Sequence, residues 1–502
     1  MKEPSKAFKT RFAAAKKWRN VVRPTIEEIF KFCAPGREFD FTKSMSTYEP
    51  QNFHSLPEDL ASDLAADLVS YYTPPEAQWA EYAVISEVDE ADANEVREIV
   101  QRRENDLFDL ISTSNYNDVA PQWGFEAATH GTPGMWVTQS SIGNQMHVEI
   151  VPPNELYLVC GHRGILDRFR ESKVMARDLN ALLAMPDIDV DLSDRKIQAA
   201  MNKEDAEVSV VWGFWVDWSD PVRPMWMMEI TVDGHPVTGT EVLGDLSGGV
   251  CPLLAGRFNP QHGRPWGRGA GWKALPDMRT LDRVEEYVLT AMEDTLKDTI
   301  IYPDDGFIDM SDGLERGRAY PASRGFTRDR IYEFPQSPAP DAGYFQEGKI
   351  EERLRAAFYQ DGPRQRGDTP PSATQWVDER RRVQQRIGKP SAPLWTELFI
   401  PFIQRVEYLG VTMGRIPEAL SHNGTDIKVT PVSPLQRAQN NDKVLVARSN
   451  LDLAFSVFQD QVFGFIDPIQ TFTNIIDASG DELVVLRKEE QDVAQQAAPP
   501  AE

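Results

Sequence analysis

The residues of this sequence best placed to do chemistry are arginines in one exposed-looking stretch. Arg364 and Arg366 sit among Gly362, Pro363 and Gly367 in "QDGPRQRGDTPPSATQWVDERRRVQQRIG", residues 360 to 388, and Arg380, Arg381 and Arg382 follow them. Guanidinium groups on a protruding loop can touch a phosphate backbone without reading bases, because phosphate contacts carry no sequence information. A solvated loop, followed by a helix face salt-bridged through Asp378 and Glu379, accounts for the same residues. Composition alone leaves both readings open.

Other reactive constellations are missing or incomplete. No G-x-x-x-x-G-K-S/T loop is present to cradle phosphates, so the chain lacks the signature of a P-loop ATPase. "GRGAG" (267–271) lacks a strand–loop–helix context with an acidic ribose partner and reads as a tight turn. There is no G-x-S-x-G elbow and no H-E-x-x-H pair. Cys160 and His162 lie two apart, but no second Cys/His pair completes a tetrahedral zinc site. "DIDVD" (187–191) and "DDG" (304–306) group carboxylates without a partnering His and read as solvated turns. The chain is therefore expected to be non-enzymatic, without metal or cofactor.

Composition narrows the class further. A 502-residue chain that is 41% hydrophobic has ample material for two to four packed domains. Its net charge of -25 repels polyanions on average, so any nucleic-acid contact must be local or weak. Three widely spaced cysteines, Cys33, Cys160 and Cys251, suit buried thiols in a reducing compartment. No apolar run approaches the roughly 18 to 20 residues of a membrane span, and the N-terminus lacks a signal-peptide core, so a soluble protein made in a cytoplasm is expected.

The elements that must position the loop follow from periodicity. Residues 5–32 form an amphipathic helix, expected to break at Pro24, with Lys6, Lys9, Arg11, Lys16, Lys17 and Arg19 on a solvated basic face. A second helix over 56–72 places Leu60, Leu64 and Leu68 on one side and stops at Pro74 and Pro75. More helix is expected from about 93 to 128. From about 132 to 260 the pattern turns to strands, among them "VSVVWGFWVDW" (208–218) and "MWMMEITVDG", with one helix at 176–185. The fold class is α+β.

A long helix is expected over 275–300, about 39 Å in length at 1.5 Å per residue. A turn-rich excursion (302–344) follows, and helix resumes at 349–360. After the arginine loop, "SATQ" is a capping box with Ser372 as N-cap, and the helix it opens is expected to end at Gly388. Another should begin near Ser391 and kink at Pro401, and helix returns from Pro434 to about Gln459.

In their order and spacing, five segments resemble the portal, or head-to-tail connector, proteins of short-tailed double-stranded DNA bacteriophages. They are "LASDLAADLVSYYTPPEAQW", "VPPNELYLVCGHRGILDRFRE", "RPWGRGAGWKALPDMRTLD", "PPSATQWVDERRR" with "LWTELFIPFIQRVEYL", and "VSPLQRAQ". The resemblance runs from the first helix to about residue 460; Trp266, Gln375 and Gln436 depart from the family's usual Tyr, Glu and Ala.

The resemblance implies a homo-oligomeric ring of about twelve subunits around a channel for double-stranded DNA, at one vertex of the virion capsid. It implies the terminase large subunit, a tail adaptor, and the scaffold and major capsid proteins as partners. It divides the chain into a wing (1–274), a first stem helix (275–300), a clip (301–348), a second stem helix (349–360), a tunnel loop (361–371), wing helices (372–411) and a crown with C-terminal tail (412–502). Arg364, Arg366, Gly362 and Gly367 would then line the channel, and Asp304, Asp305, Arg316, Arg318 and Arg324 would lie in the partner-binding clip. Two other classes stand beside this one: another structural head–tail adaptor ring, and a nucleic-acid-processing enzyme using its acidic clusters as a two-metal site.

Overall fold

A computed structural model describes residues 3–35, 52–75, 78–84, 93–140, 144–183, 190–201, 206–296, 341–360 and 385–417, with short segments at 300–301, 332–333, 421–422, 425–426 and 429–431 and parts of 444–475. The elements begin with α1 (Lys6–Cys33), α2 (Leu56–Tyr72), β1 (Tyr82–Val84), α3 (Ala93–Ser112), α4 (Tyr116–Thr129), β2 (Gly134–Gln139), β3 (Met146–Val151), β4 (Leu156–Cys160) and β5 (Leu166–Met175). There follow α5 (Leu179–Leu182), α6 (Arg195–Met201), β6 (Glu207–Asp217), β7 (Met225–Val232), β8 (His235–Pro236), β9 (Glu241–Asp245) and β10 (Leu253–Ala255). Then come α7 (Ala270–Leu296), β11 (Ile300–Ile301), β12 (Tyr332–Glu333), α8 (Asp341–Ala357), α9 (385–394), α10 (Ile400–Thr412), β13 (Ser421–His422), β14 (Thr425–Asp426) and β15 (Val429–Pro431). All the sheets are antiparallel, and the fold is α+β.

The chain divides into two compact units, Met1–Val69 with Ser114–Tyr408, and Ser70–Thr113 with Leu409–Glu502. The larger is built on the sheet β4-β5-β6-β7-β8, with β9 also paired to β7. The unbroken apolar run in β6 has a direct cause: both faces of the sheet are covered. Val208, Val210, Trp212, Phe214 and Val216 point into the main core, while Val211 and Trp215 point to the other face, against Phe8 and Ala15 of α1. Gly213 leaves room for the Phe8 ring, since a Cβ there would lie 2.6 Å from its Cε2. In the main core Trp136 of β2 stacks edge-on to Trp212 at 5.3 Å and lies 5.9 Å from Phe214. Fully burying each such side chain stabilises the fold by about 3 kcal/mol. The Asp233–Gly234 turn between β7 and β8 has φ of 48° and 76°, the geometry that the "DG" pair favours in a two-residue hairpin.

In the smaller unit α3 packs Val96 and Val100 beside Tyr82 of β1, and β1 pairs with β15. Glu104 of α3 accepts from the Tyr82 amide at 2.5 Å, and Arg103 donates to the Pro417 carbonyl at 2.8 Å. Among the described residues no helix is long and apolar enough to cross a membrane.

Several expectations are corrected. α1 runs unbroken through Pro24, because apolar residues on both sides of it, Phe8 and Ala15 before and Ile26, Ile29 and Phe30 after, are packed. Its basic face is only partly solvated. Arg11 pairs with the buried Asp167 at 2.5 Å, Arg19 bonds the Tyr157 hydroxyl, and Lys16 lies 4.3 Å from the Phe12 ring centroid. The helix expected at 176–185 is a 3-10 turn over Ala176–Asp178 followed by the single turn of α5.

Helix does not stop at Gly388: α9 continues through 390, and the buried Ser391 hydroxyl donates back to the Ile387 carbonyl at 2.7 Å. At Pro401, where a kink was expected, the helix continues with a local change of winding. A π-helical turn over Trp395–Phe399 precedes it, and the Ile400 amide donates to the Trp395 carbonyl five residues back. This wider turn absorbs the proline ring that would otherwise crowd the carbonyl of Glu397.

Candidate functional site at the helix hairpin

The hairpin starts at a crowded crossing of two chain segments. After α4 the chain turns through His130 and Gly131, and the "GRGAG" segment passes directly over it. A Cβ on Gly267 would lie 2.1 Å from the Gly131 carbonyl oxygen, and one on Gly269 would lie 2.4 Å from that of Thr129. Gly131 has φ of +87°, in the region glycine favours. The tight turn expected from the sequence is thus a close backbone crossing.

Hydrogen bonds fix this crossing. The Phe258 amide donates to the Gly131 carbonyl at 2.8 Å, the Arg268 amide to the Phe258 carbonyl at 2.8 Å, and the Trp272 indole to the His130 carbonyl at 2.9 Å. The Thr132 amide donates to Nδ1 of His130 at 3.2 Å. That places the imidazole proton on Nε2, which faces Glu126 one turn earlier; both side chains are buried. Sequence reading missed this pair, although the i, i+4 spacing in "EAATH" was a usable signal. It also missed Arg257, which reaches Glu397 through two bonds, Nε to Oε2 at 2.8 Å and Nη2 to Oε1 at 2.5 Å.

From the crossing rises α7. It begins five residues before the expected 275, because Gly271 fits against the Thr129 carbonyl and lets the first turn form there. α8 begins at Asp341, ahead of the expected 349. The glycines at 343 and 348 made "DAGYFQEG" read as turns. A Cβ on Gly348 would meet nothing, so that position faces open space and costs only glycine's weak helix propensity, about 1 kcal/mol.

The two helices run antiparallel. Asp277 near the start of α7 pairs with Arg353 near the end of α8 at 3.0 Å, and Glu285 further up α7 lies near Glu347 further down α8. Buried Met278, Leu281 and Val288 on one helix and Ile350, Leu354 and Ala357 on the other supply the apolar side of the hairpin. At its far end β11 pairs antiparallel with β12, Ile300 opposite Glu333 and Ile301 opposite Tyr332. This ladder, too short to be legible as a strand pattern, closes the base of the excursion that the sequence placed between the helices.

One cluster near the hairpin has metal-ligand residue types. His54 Nε2 lies 3.4 Å from Glu351 and 3.9 Å from Glu347. The Leu56 amide donates to His54 Nδ1 at 3.0 Å, so the Nε2 proton points at the carboxylates and the imidazole acts as donor rather than ligand. Burial raises the Glu347 pKa, reinforced by Glu285 and Glu351 and opposed by His54.

At the other end of α8 the chain is fixed just before the arginine loop. Tyr359 takes φ of +63°, and the Gln360 amide closes back on the Arg355 carbonyl at 2.8 Å, a left-handed cap with tyrosine where glycine is usual. Phe358 is fully buried, and Gln360 Nε2 donates to Asp67 at 2.7 Å. Beyond the loop, α9 is held where the Asn259 amide donates to the Pro390 carbonyl at 2.6 Å. Arg364, Arg366, Gly362 and Gly367, and the Ser372 capping box, lie outside the described residues, as do Asp304, Asp305, Arg316, Arg318 and Arg324. What the structure gives is the frame that carries both segments.

The family model described as "Bacteriophage head to tail connecting protein" matches residues 5–480. The chain belongs to this family of head-to-tail connectors. The connector is similar to a chain in the virion of a native gene transfer agent particle, at 9% identity and TM-score 0.37, covering 91% of this chain and 98% of that one. It is also similar to a chain in the neck of a native gene transfer agent particle with C12 symmetry, at 11% identity and TM-score 0.36, covering 92% and 98%. No curated protein matches the sequence. The connector's family is a structural one, and the described hairpin, crossing and sheet lie within the matched residues.

Proposed function

We propose that this connector assembles as a closed ring of about twelve copies and forms the channel through which double-stranded DNA is packaged and ejected. The observation that carries this reading is the helix–ladder–helix hairpin, α7, β11–β12 and α8, rooted in the glycine crossing. Such a hairpin, repeated around a ring, can line a conduit while offering the segment between its strands to partners. The exposed Tyr287 and Leu289 on α7 support contacts between neighbouring copies there.

In this reading the clip lies within residues 301–348, with Asp304, Asp305, Arg316, Arg318 and Arg324 meeting the terminase large subunit during packaging and a tail adaptor afterwards. Residues 361–371 form the tunnel loop, and Arg364 and Arg366 touch passing phosphates. The net charge of -25 suits a wall that must not arrest its cargo. Scaffold and major capsid proteins surround the ring at the head vertex.

Replacing residues 303–331 by a short glycine linker leaves the β11–β12 ladder in place. The shortened chain is expected to fold and to lose terminase and adaptor binding. Retained packaging by this variant would remove the clip from the mechanism.

A further inference from the structure

A cavity of about 310 Å³ lies in the larger unit between the β4–β5 turn, the segment before β10 and the π-helical turn. Its apolar wall includes Ile165, Trp226, Val250 and Pro401. Its polar wall is cationic. Arg168 of β5 lines it while 6% exposed, with its guanidinium 5.3 Å from the Trp226 ring centroid. Nη1 of Arg168 donates to the Leu253 carbonyl at 2.8 Å, whereas Nε is buried with no partner.

Among the described residues, no carboxylate lies within ion-pair distance of Arg168. A buried guanidinium whose charge partners, Glu397 and Asp167, lie beyond ion-pair distance can still take up an anion. Burial lowers its pKa, opposed in part by Cys251, Glu397 and Asp167, and an incoming anion would oppose it further. The one carboxylate in the wall, Glu397, is already occupied by both bonds from Arg257. Arg405, also buried, sends Nη1 to the Gly249 and Val250 carbonyls at 3.2 and 3.0 Å, adding positive charge behind the wall. At the mouth stands Arg163, exposed, with φ of +56° and its guanidinium 5.5 Å from the Trp218 ring centroid.

We infer that this cavity is a binding site for a carboxylate carried on an apolar stem, with Arg168 holding the carboxylate, Arg163 guiding it in and the Trp226 wall covering the stem. A guanidinium binds a carboxylate in a planar, charge-assisted geometry, and the apolar wall selects against small hydrated anions. The carboxylate has two possible sources, a free organic acid or an acidic side chain of a second copy of this chain. The site itself stands on the cavity and does not depend on the ring reading.

The test is titration of the dilute full-length subunit with hexanoate, followed by calorimetry, with hexylammonium as the control of equal shape and opposite charge. Saturable hexanoate binding is expected, no hexylammonium binding, and at least about tenfold weaker hexanoate binding in Arg168→Met and in Arg163→Glu. Arg163 is exposed, so Arg163→Glu keeps the test valid if Arg168→Met fails to fold. No saturable hexanoate binding, or equal binding of both probes or by all variants, overturns the inference. Sedimentation velocity then assigns the source. If hexanoate and Arg163→Glu both weaken self-association, the source is a second copy; unchanged self-association with bound hexanoate points to a free acid.

Discussion

A Cβ placed on Gly131 would lie 2.2 Å from the amide nitrogen of Gly269. These two glycines let the end of α4 pass under the start of α7, and nothing larger fits at either position.

Gly269→Ala is therefore expected to destabilise the subunit by about 3 kcal/mol, since the contact it meets is backbone and cannot swing aside. Chemical denaturation of wild type and variant measures the difference. A change within about 0.5 kcal/mol would mean that the crossing is looser than described.

The hairpin is held by its apolar seam and not by its ion pairs. Leu354 is fully buried, while Arg353 is 61% exposed in its pair with Asp277. Leu354→Ala should cost about 3 kcal/mol and Arg353→Ala less than about 0.5 kcal/mol. Equal losses in the two variants would reverse that ranking.

Asp167 gives a pH signature. Burial raises its pKa above the ordinary 3.8, against the lowering pull of Arg11. The folded state then holds this proton more tightly than the unfolded chain. Its contribution to stability is complete below the ordinary value and declines as pH rises through the raised one. Asp167→Asn lacks this dependence. The stability of wild type minus that of the variant should fall between pH 4 and pH 7, and a rise over that interval would contradict the assignment.

Much of this was legible in the sequence, for physical reasons that differ by element. The β-branched and aromatic run in β6 was legible as a strand, because local chemistry decides that; its burial on both faces became visible only with α1 packed behind it. Pro24, Gly388 and Gly348 misled, since each is a local breaker overruled by packing along a whole helix. The partners of Arg11 and Arg257 lie 156 and 140 residues away, at Asp167 and Glu397, and no local pattern encodes such pairings. The resemblance to head-to-tail connectors came from the order of whole segments along the chain, and the family match covers residues 5–480.

Arg364→Ala with Arg366→Ala should leave subunit assembly intact and impair packaging or retention of DNA, because two cations are removed while the cap at Tyr359 and the α9 bond at Pro390 are untouched. An in vitro packaging assay with assembled particles reads this directly. Unaltered packaging and retention would take these arginines out of the mechanism.

Copies of this chain are expected to close into a ring around a channel. Native mass spectrometry combined with negative-stain microscopy of the purified protein tests it most directly. A hollow particle of about a dozen copies is expected. A compact dimer or tetramer with no central hole would contradict it.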